Sequence, residues 1–262
     1  MSKGTAKYII LILIGAFAVI GTGLGMYFFL TAPSSDSENP SQAEPPAATA
    51  AADRETDASD QKTDAADNNK DGTPSTGFAV YIETGHGIED NGNWDPGADW
   101  SDGSTHYEEA TMMIPIAQAM ASYLRQSGVT VYTDADDDND MNLKYTLDFL
   151  DAHPEIDAFV NIHCDWEEAE SGTMPLYRTD EQKALAEALN EGVHEYIDIP
   201  DRGVTYRDDL DTLTSEQVHC PAVLFETGSI SADNKTLTTQ CDDYGKGLAA
   251  GMCRYLGIPA GF

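Results

Sequence analysis

From residue 78 onward, short apolar runs alternate with longer stretches of helical spacing, and this alternation limits the folds open to the chain more than any other feature. Phe78–Ile82, Val129–Thr133, Ile156–Ile162, Gly172–Tyr177 and Ala222–Phe225 read as buried strands: each is apolar, short and bounded by turn-forming residues. Tyr107–Gln126 instead spaces Met112, Met113, Ile116, Met120, Tyr123 and Leu124 as one helix face would, and it stops before Gly128. Asn142–Ala152, ended by Pro154, and Asp180–Ile197 and Asp242–Leu256 predict three more helices. Pro115 is placed in the first turns of its helix, where a missing N–H costs least. Strands alternating with helices predict an α/β fold. The expected form is a three-layer sandwich, a mostly parallel twisted sheet with helices on both faces.

Residues 77–262 suit one catalytic domain, and the sequence before them is of another kind. Tyr8–Leu30 holds no charged residue and no proline. As a helix it is roughly 35 Å long, enough to cross a bilayer core, and longer than a signal-peptide apolar region of about 7–15 residues. Lys3 and Lys7 precede it, and Asp36 and Glu38 follow. The positive-inside rule then puts the N-terminus in the cytoplasm and all that follows on the cell-wall side. Residues 1–32 are thus expected to be a cytoplasmic stub and transmembrane anchor. Residues 33–76, rich in Ala, Pro, Ser, Asp and Thr, cannot bury enough apolar area to order themselves and are expected to be a disordered linker.

The 46 acidic and 14 basic residues give a net charge of −32, which disfavours nucleic acid as a partner. Cys164, Cys220, Cys241 and Cys253 show no CxxC spacing and so imply no zinc knuckle. Outside the membrane they are permitted to form disulfides, with three full pairings open.

In open α/β sheets, ligands sit at the carboxyl ends of strands. Three of the expected strands end in groups that bind metals or move protons: Gly85-His86-Gly87 after the first, His163 after Ile156–Ile162, and Glu226 after Ala222–Phe225. A helix also opens close by with His106-Tyr-Glu-Glu109. Two neutral imidazoles and a carboxylate form a ligand set of catalytic zinc, with one coordination position left for water. On the residues alone the set is His86, His163 and one of Glu108 or Glu109, with Glu226 as a separate base. There is no GxSxG and no HExxH. His106 is expected at the surface, and His219 and Cys220 at the wrong end of the sheet. Cys164 should point to the face opposite His163. Trp94, Trp100 and Trp166 lie in loops near the site, suited to stacking on sugars or to packing.

The domain resembles the zinc-dependent N-acetylmuramoyl-L-alanine amidases, the catalytic type of bacterial cell-wall, division and sporulation amidases. Gly85-His86-Gly87 matches the family's opening. Counting from Glu109 places Met112, Ile114, Ile116, Ala117 and Gly128 where the family has its apolar positions and glycine, and counting from Glu108 does not. Phe159-Val-Asn-Ile-His163 resembles Phe-Val-Ser-Ile-His, Asp201–Val204 an Asp-Arg-Gly-Val stretch, and Pro221–Gly228 the closing Pro-Ala-Val-Leu-x-Glu-x-Gly. The resemblance implies one zinc ion on His86, Glu109 and His163. It also implies hydrolysis of the amide between the lactyl group of N-acetylmuramic acid and L-alanine in peptidoglycan, with Glu226 as the catalytic base.

The chain departs from the pattern in three places. Thr133-Asp134 replaces Thr-Arg, a second arginine has no counterpart near Leu143-Lys144-Tyr145, and Glu83-Thr84 replaces Asp-Pro. The tract from Asp134 to Asp140 is expected to be a solvated loop. Two rival readings stand beside the amidase: a degenerate domain that binds peptidoglycan or a partner without cutting, and a zinc peptidase of the stem peptide.

Overall fold

The computed structural model describes residues 74–89, 92–137 and 143–262. The run Tyr8–Leu30, read as an anchor, and the linker up to residue 73 lie outside the described residues. Among the described residues no helix is long and apolar enough to cross a membrane.

The chain opens with β1 (Ala79–Thr84) and two small hairpins, β2 (Gly87–Ile88) with β3 (Trp94–Asp95) and β4 (Asp99–Ser101) with β5 (His106–Glu108). Then follow α1 (Glu109–Gln126), β6 (Thr130–Thr133), α2 (Leu143–Ala152), β7 (Ala158–Asp165), β8 (Met174–Tyr177) and α3 (Asp180–His194). The last elements are β9 (Thr205–Tyr206), α4 (Asp211–Thr214), β10 (Ala222–Ser229), α5 (Asn234–Thr239) and α6 (Cys241–Leu256). Six strands form one sheet in the order β6-β1-β7-β10-β8-β9. Every neighbouring pair is parallel except β10–β8, so the sheet is mixed.

Alternation along β1 divides the core. Val80 and Ile82 face one apolar cluster, with Ile116 and Met120 of α1, Leu185 and Leu189 of α3 and Leu248 of α6. Tyr81, between them, faces a second cluster with Leu150 of α2 and Leu213 of α4. Period-2 side chains on a strand buried from both sides produce this split. The fully buried Leu and Ile residues each contribute about 1.5–3 kcal/mol relative to exposure. α3 starts on a capping box, in which Thr179 Oγ1 accepts from the Gln182 amide and the Gln182 side chain returns the bond. α6 stops at Gly257, whose left-handed φ of 69° ends a helix without side-chain strain.

Two boundaries differ from the periodicity in ways that matter for the site. Tyr107 and Glu108 belong to β5, not to the helix, because they pair with Trp100 and Asp99 of β4. α1 therefore begins at Glu109, which puts Pro115 at its seventh residue, beyond the first turn. β10 runs past Phe225 to Ser229, so Glu226 lies inside a strand, not on the loop after it. The tract from Asp134 also departs from a solvated loop: Asp134 is only 4% exposed, and residues 135–137 form a 3-10 turn. Residues 138–142 lie outside the described residues.

Candidate metal centre

Three elements converge at the carboxyl end of β1 and β7. His86 follows β1 in the left-handed region, with φ of 71°, a conformation uncommon for non-glycine residues though less so for histidine. The corner depends on its neighbours being glycine. A Cβ on Gly85 would stand 2.0 Å from the His163 ring. A Cβ on Gly97 would stand 2.4 Å from His86 and 2.5 Å from Glu109 Oε2. Glycine at these positions lets the backbone close around the three side chains while leaving the space among them clear.

Glu109 is the first residue of α1 and is 2% exposed. Its Oε2 accepts from the Ala98 amide at 2.7 Å, and its Oε1 accepts from the Cys164 amide at 3.0 Å and from His163 Nδ1 at 2.7 Å. His86 Nε2 lies 3.3 Å from Oε2. One donor atom from each of His86, Glu109 and His163 falls within 4.8 Å of the others. Burial alone would raise the Glu109 pKa, but the bonds from His163 and His86 and their charges outweigh it and pull it to about 2. The helix N-terminus also favours an anion there. Burial pushes the His86 pKa down, yet Glu109 and then Asp95 override it and lift it to about 9.

The structure thus brings together all three residues singled out as ligands, and it separates Glu109 from Glu108. Glu108 is half-buried and accepts from Trp94 Nε1 at 3.1 Å, away from the cluster. Glu226 stands beside His163 in the β7–β10 register. Its Oε2 is buried without a hydrogen-bond partner. Burial, reinforced by repulsion from Glu109 and Asp165, raises its pKa to about 8. Thr227 backs this strand pair: its Oγ1 donates to the His163 carbonyl at 2.8 Å, and its own carbonyl accepts from the buried Tyr244 hydroxyl at 2.5 Å.

Asp95 was not singled out in the sequence. Its Oδ2 lies 2.9 Å from His86 Nδ1, and its Oδ1 accepts from the Gly97 amide at 3.0 Å. No spacing rule signals it, because it reaches His86 only through the β2–β3 pairing of Gly87 with Asp95. His106 is exposed, with Nε2 3.4 Å from Glu108. His219 is exposed before β10, and Cys164 packs in the cluster on the face opposite His163. All four cysteines carry free thiols. Trp166 is exposed, whereas Trp100 stacks on Tyr107 at 5.6 Å.

The family model for N-acetylmuramoyl-L-alanine amidases matches residues 80–256. The chain belongs to the N-acetylmuramoyl-L-alanine amidase family. That match bears out the resemblance read from the motifs and gives the enzyme its class, with peptidoglycan amidase activity at the level of the family. Solved structures agree with this amidase assignment. One is the amidase AmiC2 of Nostoc punctiforme, 26% identical with a TM-score of 0.60, covering 70% of this chain and 99% of that one. Another is the CwlD amidase of Clostridioides difficile in complex with the GerS lipoprotein, 25% identical with a TM-score of 0.57, covering 69% and 98%. The catalytic domain of the amidase CwlV from Bacillus (Paenibacillus) polymyxa shares the fold at 24% identity and a TM-score of 0.59, covering 70% and 99%. Against individually curated proteins there is no significant match.

Proposed function

We propose that this amidase cleaves the bond between the lactyl group of N-acetylmuramic acid and L-alanine, using one zinc ion held by His86, Glu109 and His163. The observation that carries this reading is the convergence of two imidazoles and one buried carboxylate within 4.8 Å, beside a carboxyl group that has lost its solvent. The donor set fits zinc, which takes imidazole nitrogen and carboxylate oxygen together and, in catalytic sites, leaves a position open. When bound, zinc supplies Lewis acidity, which polarises an acyl carbonyl and makes a water acidic near neutral pH.

The protein's own groups do the rest. Backbone amides of Ala98 and Cys164 fix the Glu109 carboxylate, and Asp95 fixes the His86 ring through Nδ1. Glu226, held in a strand, takes a proton from the water that attacks the lactyl carbonyl. It then delivers that proton to the alanine nitrogen as the C–N bond breaks, so one water yields the lactyl acid and the free amine. A carboxyl group of raised pKa suits both transfers near neutrality.

Tyr8–Leu30 supports the further reading that residues 1–32 anchor the enzyme in the membrane, with residues 33–76 tethering the catalytic part 77–262 on the wall side. The deciding experiment digests purified sacculi with and without chelator and identifies the ends released. New lactyl carboxyl groups and new N-terminal alanine, both abolished by chelator, are expected. Cleavage between two amino acids would make it a stem-peptide peptidase, and binding without products would make it a non-cleaving relative.

A further inference from the structure

A cavity of about 320 Å³ adjoins the site, and its wall holds a group that the mechanism does not use. Asn161 precedes His163 by two residues on β7, so both side chains leave the same face of the sheet, about 6.6 Å apart along the strand. Both line the cavity, together with Leu224 of β10 and Asp211 of α4. Asn161 is 4% exposed, and its Oδ1 is buried with no hydrogen-bond partner. A buried carbonyl oxygen left unpaired is destabilising, and a ligand N–H would remove that cost. An asparagine side chain also carries donors, so it matches another amide in both directions. Glu83, which faces Asn161 across the β1–β7 pair, together with Glu89, Asp95 and Asp211 sets the charge of the lining, which among the described residues includes no Lys or Arg. A carboxylate entering here would be repelled, and a carboxamide would not.

We propose that Asn161 is a specificity-determining residue that hydrogen-bonds a carboxamide on the stem peptide, so that the enzyme prefers an amidated stem to the free acid. The assignment rests on the amidase reading above. In this proposal the stem peptide runs along β7 from His163 towards Asn161; extended, it advances about 3.3 Å per residue, so a group bonded to Asn161 sits about two residues beyond the bond cut. The carboxamide therefore belongs to the second residue of the stem.

The test uses two synthetic muramoyl peptides that differ only in carrying a carboxamide or a carboxylate on that residue. Wild type should cleave the amidated peptide with kcat/KM about tenfold or more higher. Asn161→Ala should lose that preference mainly through KM, with kcat nearly kept, and Asn161→Ser should fall between. Affinities of both peptides for the Glu226→Gln variant, measured by calorimetry with and without Asn161→Ala, should show the same ratio without any turnover. Equal handling of the two peptides by the wild type, or an unchanged ratio in Asn161→Ala, would overturn the assignment. If the wild type cut neither peptide at the lactyl bond, the amidase reading would fall, and the affinity ratio would still decide the role of Asn161.

Discussion

The backbone amide of Thr84 points between the two carboxylate oxygens of Asp134, at 3.2 Å from each, and the Thr84 hydroxyl lies 3.4 Å from one of them. Asp134 thereby ties the last residue of β1 to the end of β6, two residues before His86. It occupies the place where the family pattern has arginine, and it does structural work there that an arginine side chain, with no acceptor, does not. Asp134→Ala leaves the Thr84 amide without this acceptor in a buried setting. The expected cost is about 1–3 kcal/mol in denaturant unfolding. A variant as stable as the wild type would show that the contact carries no energy.

Asp95 makes a second prediction. Carboxylates that hold the far nitrogen of a metal-binding histidine are typically worth 10–100-fold in metal affinity. Asp95→Ala should weaken zinc binding by about that factor in competition with a chromophoric chelator. An unaltered zinc affinity would mean that the backbone of the Gly85–Gly87 corner orients His86 unaided.

Glu226→Gln should bind zinc at full stoichiometry yet lose about 10²–10⁴ in turnover. It should also change how stability varies with pH when chelator is present. The folded-state pKa of Glu226, about 8, lies above the ordinary glutamate value of 4.5. Its contribution is therefore fully present below about 4.5 and is lost as pH rises towards 8, because the unfolded chain ionises first. The Gln variant lacks that loss and should overtake the wild type in stability above neutrality. Parallel curves for the two proteins would show that Glu226 ionises freely in the fold.

His86 predicts proton release on zinc binding. Its pKa of about 9 means that without metal it holds a proton at neutral pH, whereas a ligand imidazole must give that proton up. Zinc affinity should rise with pH until about 9, and calorimetry in buffers of different ionisation heat should detect the released proton. The linkage has the opposite sign for the chelated fold. The stability that His86 gains from Glu109 and Asp95 is full below the ordinary histidine value of 6.5 and fades as pH passes 9.

Gly85→Ala should abolish zinc binding while the sheet persists, since the added carbon would stand 2.0 Å from the His163 ring. Near-normal zinc uptake by a folded Gly85→Ala protein would show that the corner can shift.

Much of this is legible in the sequence itself. Apolar runs locate five of the six strands of the large sheet, all but the two-residue β9, and the residues ending β1 and within β7 and β10 give His86, His163 and Glu226. What periodicity could not reach were the pairings of two- and three-residue strands. β2–β3 and β4–β5 are too short to show alternation, yet they deliver Asp95 to His86 and start α1 at Glu109. Asp134 escapes the sequence pattern for a different reason. An acidic run looks solvated along its length, and nothing local shows that its first member turns inward to meet a strand end 50 residues earlier. The antiparallel β10–β8 pair was likewise invisible, because strand direction is set by the path of the connections.

The setting of Glu226 bears on how such an enzyme can be controlled. Glu226, the proposed base, and His163 are built into adjacent strands, and Glu109 is locked into the first turn of a helix, so shifting any of them means breaking regular backbone hydrogen bonds. His86 alone rides on a glycine-flanked turn in a left-handed conformation. An on–off device that acts on this centre with least disruption of the fold would act there, withdrawing one imidazole while the other three groups stay ready.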